Sequence, residues 1–174
     1  MIDKELICID EDFDTLSDIL KKQKKYYNKD DFYVKLMTED DVFAVFEIEN
    51  KLLGTNNMGT ISSALNSDTL FYYVLVNSNN AEIVGFLEIS IIGPDCELYD
   101  IAIKKQYQGH HLSNILMDYL IKICSEKKCE TIFLEVNSIN NKAIRLYKKY
   151  GFARYSTRKN YYGKFDAVLM KKDL

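Results

Sequence analysis

The chain has 174 residues, of which 47% are hydrophobic and 28% charged, a composition ordinary for one globular domain with its own core. Its 23 basic and 26 acidic residues give a formal charge of −3, so general nucleic-acid binding is not indicated, although a basic peptide would be tolerated or mildly attracted. No apolar run is long enough to span a membrane, and the acidic N-terminus lacks the apolar segment of a signal peptide.

The four cysteines, Cys8, Cys96, Cys124 and Cys129, do not follow a zinc-binding pattern, because the last two lack a second Cys or His pair nearby. No metal site is therefore predicted. Free thiols in a reducing, cytoplasmic setting are the simplest interpretation. None of the four has a His neighbour in the sequence, which does not favour a cysteine acyl-enzyme.

Residues 1–31 are predicted to form a helical extension in front of a single domain over 32–174. Phe13, Leu16 and Ile19 recur at helical spacing, and a basic run follows them. The helix either packs on the flank of the domain or contacts a partner or a second copy. Both a monomer and a homodimer therefore stay open.

The first part of the domain reads as strands around one or two helices. Thr38, followed by three acids, is a helix start. The turn residues between apolar runs indicate hairpins, so the strands predict an antiparallel meander. The predicted order is a strand at 32–37, a helix to about residue 53, a polar and irregular or weakly helical stretch at 54–66, and strands at 70–76, 83–92 and 97–103.

The second part alternates helices and strands. The predicted order is a helix at 111–124, a strand at 131–136, a helix at 139–150, and strands at 152–161 and 165–170 around Gly163. Gly151 is a suitable residue to end the second helix. The whole order predicts a mixed α/β (α+β) fold with one parallel pair of strands in the middle.

The strand at 97–103 enters a helix through the turn at 104–111. Such a unit aims the first backbone N–H groups of the helix at one point, and these groups with the helix dipole can bind a phosphate. The pattern is weak by itself, because every strand–turn–helix unit has it.

The residues of this turn resemble the pyrophosphate-binding signature of the GNAT superfamily of acetyltransferases: Gln or Arg, two variable residues, Gly, one variable residue, then Gly or Ala. One register starts at Gln106 and has its first glycine at Gly109. The other starts at Gln108 and places His111 and Ser113 at the two glycine positions. The second register is favoured, because it puts the apolar stripe of the following helix where the family has it.

The favoured register departs from the signature at both glycine positions. The backbone N–H groups survive, but a Cβ stands where a phosphate would approach closely. The imidazole of His111 could instead donate to the phosphate, whereas His110 is interpreted as a solvent-facing turn residue. Whether His111 weakens coenzyme binding stays open.

The segments 131–137 and 140–152 resemble GNAT enzymes, and are most similar to the family of ribosomal-protein-alanine N-acetyltransferases, which acetylate protein N-termini. The tail at 158–162 and 166–170 strengthens this narrower resemblance, which spans roughly residues 33–172. It implies a GNAT-like mixed central sheet flanked by helices, with the predicted N-terminal helix as an addition.

Glu135 stands inside an apolar strand, where alternation puts it on the face of Phe133 and opposite Leu134 and Val136. An outward Glu on a half-exposed strand would look the same. A protein α-amine has a pKa near 8, so a nearby carboxylate, or a water that it holds, can serve as its base. The resemblance implies that Glu135 is the general base.

Tyr147 shares one helix face with Asn140 and Ile144. By itself it would be interpreted as a core tyrosine, one of thirteen in the chain. The resemblance implies that Tyr147 is the proton donor to the departing thiolate, chiefly through a strong hydrogen bond, since a phenol is the weaker acid. It also implies that Asn140 contacts the coenzyme, while Asn140 could cap the helix as well.

The resemblance implies acetyl-coenzyme A as co-substrate, with its pantetheine arm lying against the main chain of Ile101, Ala102 and Ile103 like an added strand. The other residues implied to bind the coenzyme are Gln108, Gly109, His110, His111, Leu112, Ser113, Asn114 and Asn140.

The acceptor side is implied at Tyr161, Tyr162 and Arg158, which either line a peptide groove or form an aromatic patch over the core. The predicted function is direct transfer, in a ternary complex, of acetyl to the N-terminal amine of a peptide or protein, ribosomal proteins included. The alternatives are a small amine or a lysine side chain as acceptor, or a coenzyme A-binding sensor without turnover.

Overall fold

The structure is a computed structural model that describes residues 31–54 and 57–174. The helix predicted within residues 1–31 falls outside these ranges, apart from Asp31. The described elements are β1 (Phe32–Leu36), α1 (Val42–Leu52), α2 (Met58–Ala64), β2 (Leu70–Asn77), β3 (Glu82–Ile92), β4 (Asp95–Ile103), α3 (Leu112–Glu126), β5 (Thr131–Asn137), α4 (Asn141–Lys149), β6 (Ala153–Tyr162) and β7 (Phe165–Asp173). No helix in these ranges is long and apolar enough to cross a membrane.

The strands form one seven-stranded sheet in the order β1-β2-β3-β4-β5-β7-β6. All neighbours are antiparallel except β4 and β5. This confirms the predicted mixed sheet with its central parallel pair. The pairing of β4 with β5 ends at Leu98 opposite Leu134, although β4 continues to Ile103 and β5 to Asn137. The two strands therefore separate, and a cleft opens between them in the middle of the sheet.

Helices cover both faces of the sheet. One face packs on α3 and α4, where Leu116, Met117 and Leu120 are fully buried against strand residues such as Leu134. The other face packs on α1 and α2, around Phe86. Each face buries the apolar side chains of one strand alternation, which is the main favourable contribution to folding.

A short turn of 3-10 helix at Glu39–Asp41 leads into α1. The backbone N–H and the hydroxyl of Thr38 each donate to the Asp41 carboxylate at 2.8 Å, and the ammonium of Lys35 donates at 2.6 Å. The predicted helix start at Thr38 is confirmed, because these hydrogen bonds satisfy the first free N–H of the turn.

Helix α2 falls within the stretch expected to be irregular or weakly helical. Its N-cap is Asn57, whose side chain accepts from the N–H of Gly59 at 3.0 Å. The seven residues contain few strong helix formers. Burial of Ile61 and Ala64 under the sheet supplies the stability that local propensity lacks.

Candidate active site

The cleft between β4 and β5 is the central feature of the site. Past Leu98, the edge of β4 that faces β5 has no strand paired with it in the described residues. The predicted coenzyme edge, Ile101–Ile103, lies on this free edge, and the side chains of Ala102 and Ile103 are buried. The unpaired main chain of this edge suits an extended arm that pairs like a strand.

The turn after β4 is held in place by side chains. The carboxylate of Glu82 accepts from the ammonium of Lys104 at 2.9 Å and from the hydroxyl of Tyr107 at 2.7 Å. The amide of Gln108 donates to the carbonyl of Ile103 at 2.9 Å. These bonds fasten the turn to β3 and β4, so the start of α3 has a defined position relative to the cleft.

His111 is the N-cap of α3, and its φ of 61° lies in the left-handed region. Glycine adopts this region freely, whereas other residues are strained there. Gly109, two residues earlier, also has a positive φ of 87°. His110 and His111 are exposed, while the side chain of Leu112 is buried, so Leu112 can meet an anion only through its backbone N–H.

The next two residues of α3, Ser113 and Asn114, differ in whether their backbone N–H groups are already hydrogen-bonded. The N–H of Ser113 lies in the first turn, where helical N–H groups have no partner within the helix. The N–H of Asn114 donates to the carbonyl of His111 at 2.9 Å. The side chain of Asn114 accepts from Lys149 at 3.2 Å and its carbonyl accepts from Tyr150 at 3.0 Å. Asn114 therefore joins α3 to the end of α4.

Glu135 lies on β5, one residue past the last pair with β4. Its Oε1 accepts from the guanidinium of Arg158 at 2.7 Å, whereas its Oε2 is buried and makes no hydrogen bond in the described part of the chain. Arg158 lies 5.5 Å from the ring centre of Tyr161, which contacts Tyr162 edge-on at 5.0 Å. The structure thus brings the candidate base and the three candidate acceptor residues together.

Tyr147 projects from α4 and is 7% exposed. Its ring packs on Phe152 at 5.9 Å, and its hydroxyl makes no hydrogen bond within the described ranges. Burial raises the pKa of Tyr147, and electrostatic interactions with Asp100 and Tyr162 raise it further. Tyr147 therefore stays protonated at neutral pH and can act as a hydrogen-bond donor.

Asn140 precedes α4 as its N-cap, and its side chain accepts from the N–H of Ala143 at 3.2 Å. The capping role considered from the sequence is thus present. Asn140 is exposed and follows the free end of β5, so it borders the opening of the cleft.

Three buried cysteines lie away from this constellation. Cys96, Cys124 and Cys129 are free thiols. A hydrogen bond to Cys96 and burial raise the pKa of Cys124, and burial raises the pKa of Cys129 to about 11. Buried thiols of this kind are poor nucleophiles, which argues against a cysteine acyl-enzyme at these positions.

Sequence reasoning missed a second group of acidic residues, Glu49 on α1, Glu88 on β3 and Asp100 on β4. The hydroxyl of Tyr72 donates to Glu49 at 3.1 Å, and Glu88 lies opposite Asp100. Burial, with the charges of Asp100 and Glu49, raises the pKa of Glu88 to about 7 against the lowering effect of a hydrogen bond from Tyr72. Burial, then Glu49, raises the pKa of Asp100 to about 6.

A bulge in β4 explains why Asp100 belongs to this group. Glu88 is opposite Asp100 but Ile89 is opposite Leu98, so Tyr99 is an extra residue. Before the bulge the even-numbered positions face α3, and after it the odd-numbered ones do, which turns Asp100 to the α1 face. The available signal was an acid inside each of two apolar strands, the same signal that singled out Glu135.

The fold and the comparison with known sequences identify an N-acetyltransferase. The model of the acetyltransferase (GNAT) family matches residues 39–152, and the chain belongs to this family. The fold of the family uses acetyl-coenzyme A as acetyl donor.

Among its relatives is the [ribosomal protein bS18]-alanine N-acetyltransferase of Haemophilus influenzae, 34% identical over 136 residues, which are 75% of this chain and 90% of the relative. The fold is similar to the crystal structure of the ribosomal-protein-S18-alanine N-acetyltransferase from Escherichia coli (TM-score 0.74, 24% identity, 82% of this chain and 93% of that one). It is also similar to a chain of the NatC complex bound to Gag peptide and CoA (TM-score 0.73, 19% identity, 83% and 99%).

Proposed function

We propose that this N-acetyltransferase acetylates the N-terminal amine of a protein, by direct transfer from acetyl-coenzyme A in a ternary complex. The observation that carries the proposal is the carboxylate of Glu135 at the cleft. Arg158 donates to one oxygen of this carboxylate, and the other oxygen is buried and has no hydrogen-bond partner among residues 31–54 and 57–174. A buried oxygen without a hydrogen bond is costly. An N–H group of the substrate amine, or a water between the amine and Glu135, would donate the missing hydrogen bond to Oε2.

The chemistry follows from this arrangement. Oε2 of Glu135 takes a proton from the attacking nitrogen while the C–N bond forms and the C–S bond breaks. The hydroxyl of Tyr147 donates a hydrogen bond to the sulfur as it becomes a thiolate. The proton removed from nitrogen finally resides on that sulfur, so charge and protons balance. The free edge at Ile101–Ile103 would hold the pantetheine arm and align the thioester.

The turn after β4 and the N-terminus of α3 form the proposed binding site for the pyrophosphate of the coenzyme. Backbone N–H groups of Gly109, His111, Leu112 and Ser113 would receive the pyrophosphate, whereas His110 is placed at the rim. His111 has the left-handed backbone conformation that glycine adopts freely, which is compatible with convergence of these N–H groups on one anion. Asn140 would meet the coenzyme at the end of β5.

A polypeptide acceptor is favoured over a small amine by the exposed aromatic surface beside the base. Tyr161 is 54% exposed and Tyr162 is 40% exposed, and both lie next to Arg158 and Glu135. Exposed aromatic rings can pack against an extended peptide. The relatives whose names include bS18-alanine N-acetyltransferase make a ribosomal protein the first candidate acceptor.

The test is release of coenzyme A from acetyl-coenzyme A with peptides that start with Ala, Ser or Met, with lysine peptides and with polyamines. We expect turnover on N-terminal amines, and a loss of about 100-fold or more in kcat for Glu135→Gln. Tyr147→Phe should lose about tenfold or more while folding normally, because its hydroxyl makes no hydrogen bond in the described ranges.

The matched control is Glu130→Gln, which changes an exposed carboxylate just before β5 and should keep wild-type rates. Turnover confined to polyamines or lysine side chains would contradict the proposed acceptor. Tight coenzyme binding without turnover on any amine would contradict the enzyme mechanism and indicate a sensor.

A further inference from the structure

In the part of the chain that the structure describes, Glu88 and Asp100 form a pair of carboxylates without a counter-ion. The two residues are direct neighbours across β3 and β4, both are partly buried, and no basic side chain forms an ion pair with either of them within residues 31–54 and 57–174. Partly buried carboxylates in this state favour a proton or a cation. A cationic group of a ligand would therefore be attracted to this pair.

Asp100 lies on the side of the cleft opposite Glu135. It is two residues past the last paired position of β4, and Glu135 is one residue past the last paired position of β5. Both residues face the α1 side of the sheet, because Asp100 shares the face of Ala102 and Glu135 alternates with the α3-facing Leu134 and Val136. An amine that enters the cleft from this side meets one carboxylate from each strand.

The hydroxyl of Tyr147 is a second group on the Asp100 side of the cleft that could bind a ligand. The side chain of Tyr147 is more than nine-tenths buried, and its hydroxyl has no hydrogen-bond partner in the described residues. The charge of Asp100 raises the pKa of Tyr147, so the hydroxyl lies within electrostatic range of this carboxylate. A ligand group placed between the two could accept a hydrogen bond from the hydroxyl of Tyr147.

We infer that Asp100, supported by Glu88, receives the acceptor as its ammonium ion and takes the first of the two protons that the nitrogen must lose. This rests on the proposed function. One N–H bond of the ammonium breaks and an O–H bond forms on Asp100, which leaves a neutral amine with its lone pair free to attack. Glu135 then takes the second proton as the C–N bond forms and the C–S bond breaks. The second proton passes to the thiolate, and Asp100 releases the first proton to solvent.

The charges around Asp100 and Glu135 explain why Asp100, rather than Glu135, would receive the first proton. Glu135 is already paired with the cation of Arg158, which repels an ammonium. In the described residues, the groups that interact electrostatically with Asp100 are negative or neutral: Glu49 of α1, Glu88 of β3, Tyr147 of α4 and Tyr162 of β6. The pKa of Glu88 near 7 and that of Asp100 near 6 also suit proton transfer at neutral pH.

The first test is kcat/KM against pH for an Ala-starting peptide, with Asp100→Asn compared with wild type. We expect a loss of about tenfold or more at about pH 7, and a much smaller loss at about pH 9, where the α-amine is already neutral. The affinity for acetyl-coenzyme A should not change. Asp95→Asn, an exposed change of the same kind at the start of β4, should behave as wild type. An unchanged rate, or an equal loss at both pH values, would overturn the inference.

The second test needs no turnover, so it separates this inference from the proposed function. Calorimetry at about pH 7 compares the same peptide with its desamino analogue, in the presence of coenzyme A. Wild type should prefer the ammonium form, and Asp100→Asn and Glu88→Gln should each lose that preference while keeping the wild-type melting temperature or exceeding it. Equal binding of the two peptides by wild type would refute the inference even if the enzyme is active.

Discussion

Replacement of Glu88 by Gln should stabilise the protein at alkaline pH and leave it nearly unchanged at acidic pH. Burial and neighbouring charges raise the pKa of Glu88 from an ordinary 4.5 to about 7 in the folded state. Between these values the native protein keeps a proton that the unfolded chain has lost. Stability must therefore fall as pH rises through this window. Gln cannot ionise, so the variant does not lose the stability that wild type loses when Glu88 ionises.

The size of the effect follows from the pKa difference. One pKa unit corresponds to about 1.4 kcal/mol, so the full difference would be worth about 3 kcal/mol. Glu88 is only partly buried, so solvent screening reduces the effect. We therefore expect Glu88→Gln to exceed wild type by about 1–2 kcal/mol at pH 8 and to match it near pH 5.

The assay is urea unfolding of the full chain, followed by circular dichroism at several values between pH 5 and pH 8. Glu82→Gln, on the same strand, is a control of opposite sign. Hydrogen bonds from Tyr107 and Lys104 lower the pKa of Glu82, so its loss should destabilise the protein near pH 8. The reasoning is refuted if the wild type is equally stable from pH 5 to pH 8 and Glu88→Gln follows the same line.

Two further predictions concern the backbone that presents the coenzyme site. Gly85→Ala should lower the free energy of unfolding by about 1–3 kcal/mol, because the new Cβ would stand 2.5 Å from the carbonyl oxygen of Ala102. The variant should also bind acetyl-coenzyme A more weakly in calorimetry. Unchanged stability and affinity would show that β4 can shift to accommodate the Cβ without cost. His111→Val should lower the free energy of unfolding, measured in urea, by about 1–2 kcal/mol, since a β-branched residue is strained at this positive φ. An equal loss for His110→Val would mean that the turn as a whole, rather than the left-handed position, is responsible.

The local elements of this protein could be predicted because their patterns are strong. Strand β5 alternates buried and half-buried residues along its whole length, and α3 carries an apolar stripe, so each period indicates its own structure. Gly151, with a φ of 86°, ends α4 where expected. Helix α2 was harder to predict, since its stability comes from burial of Ile61 under the sheet rather than from its own residues.

The composition of the site depended on the resemblance and on the tertiary structure. Glu135 and Tyr147 could be named as candidates, but the pairing of Glu135 with Arg158 joins β5 to β6, and these strands are separated in the sheet by β7. Periodicity describes which face a residue occupies within one strand, and it carries no information about which distant side chain completes an ion pair.

The bulge at Tyr99 shows most clearly what the sequence by itself determines and what it does not. The run from Asp95 to Ile103 determines a strand, because its residues favour one and its alternation is visible. The single extra residue reverses the alternation halfway, and this turns Asp100 towards Glu49 and Glu88. Only pairing with β3 decides where that residue is inserted, since a bulge is a property of two strands and not of one.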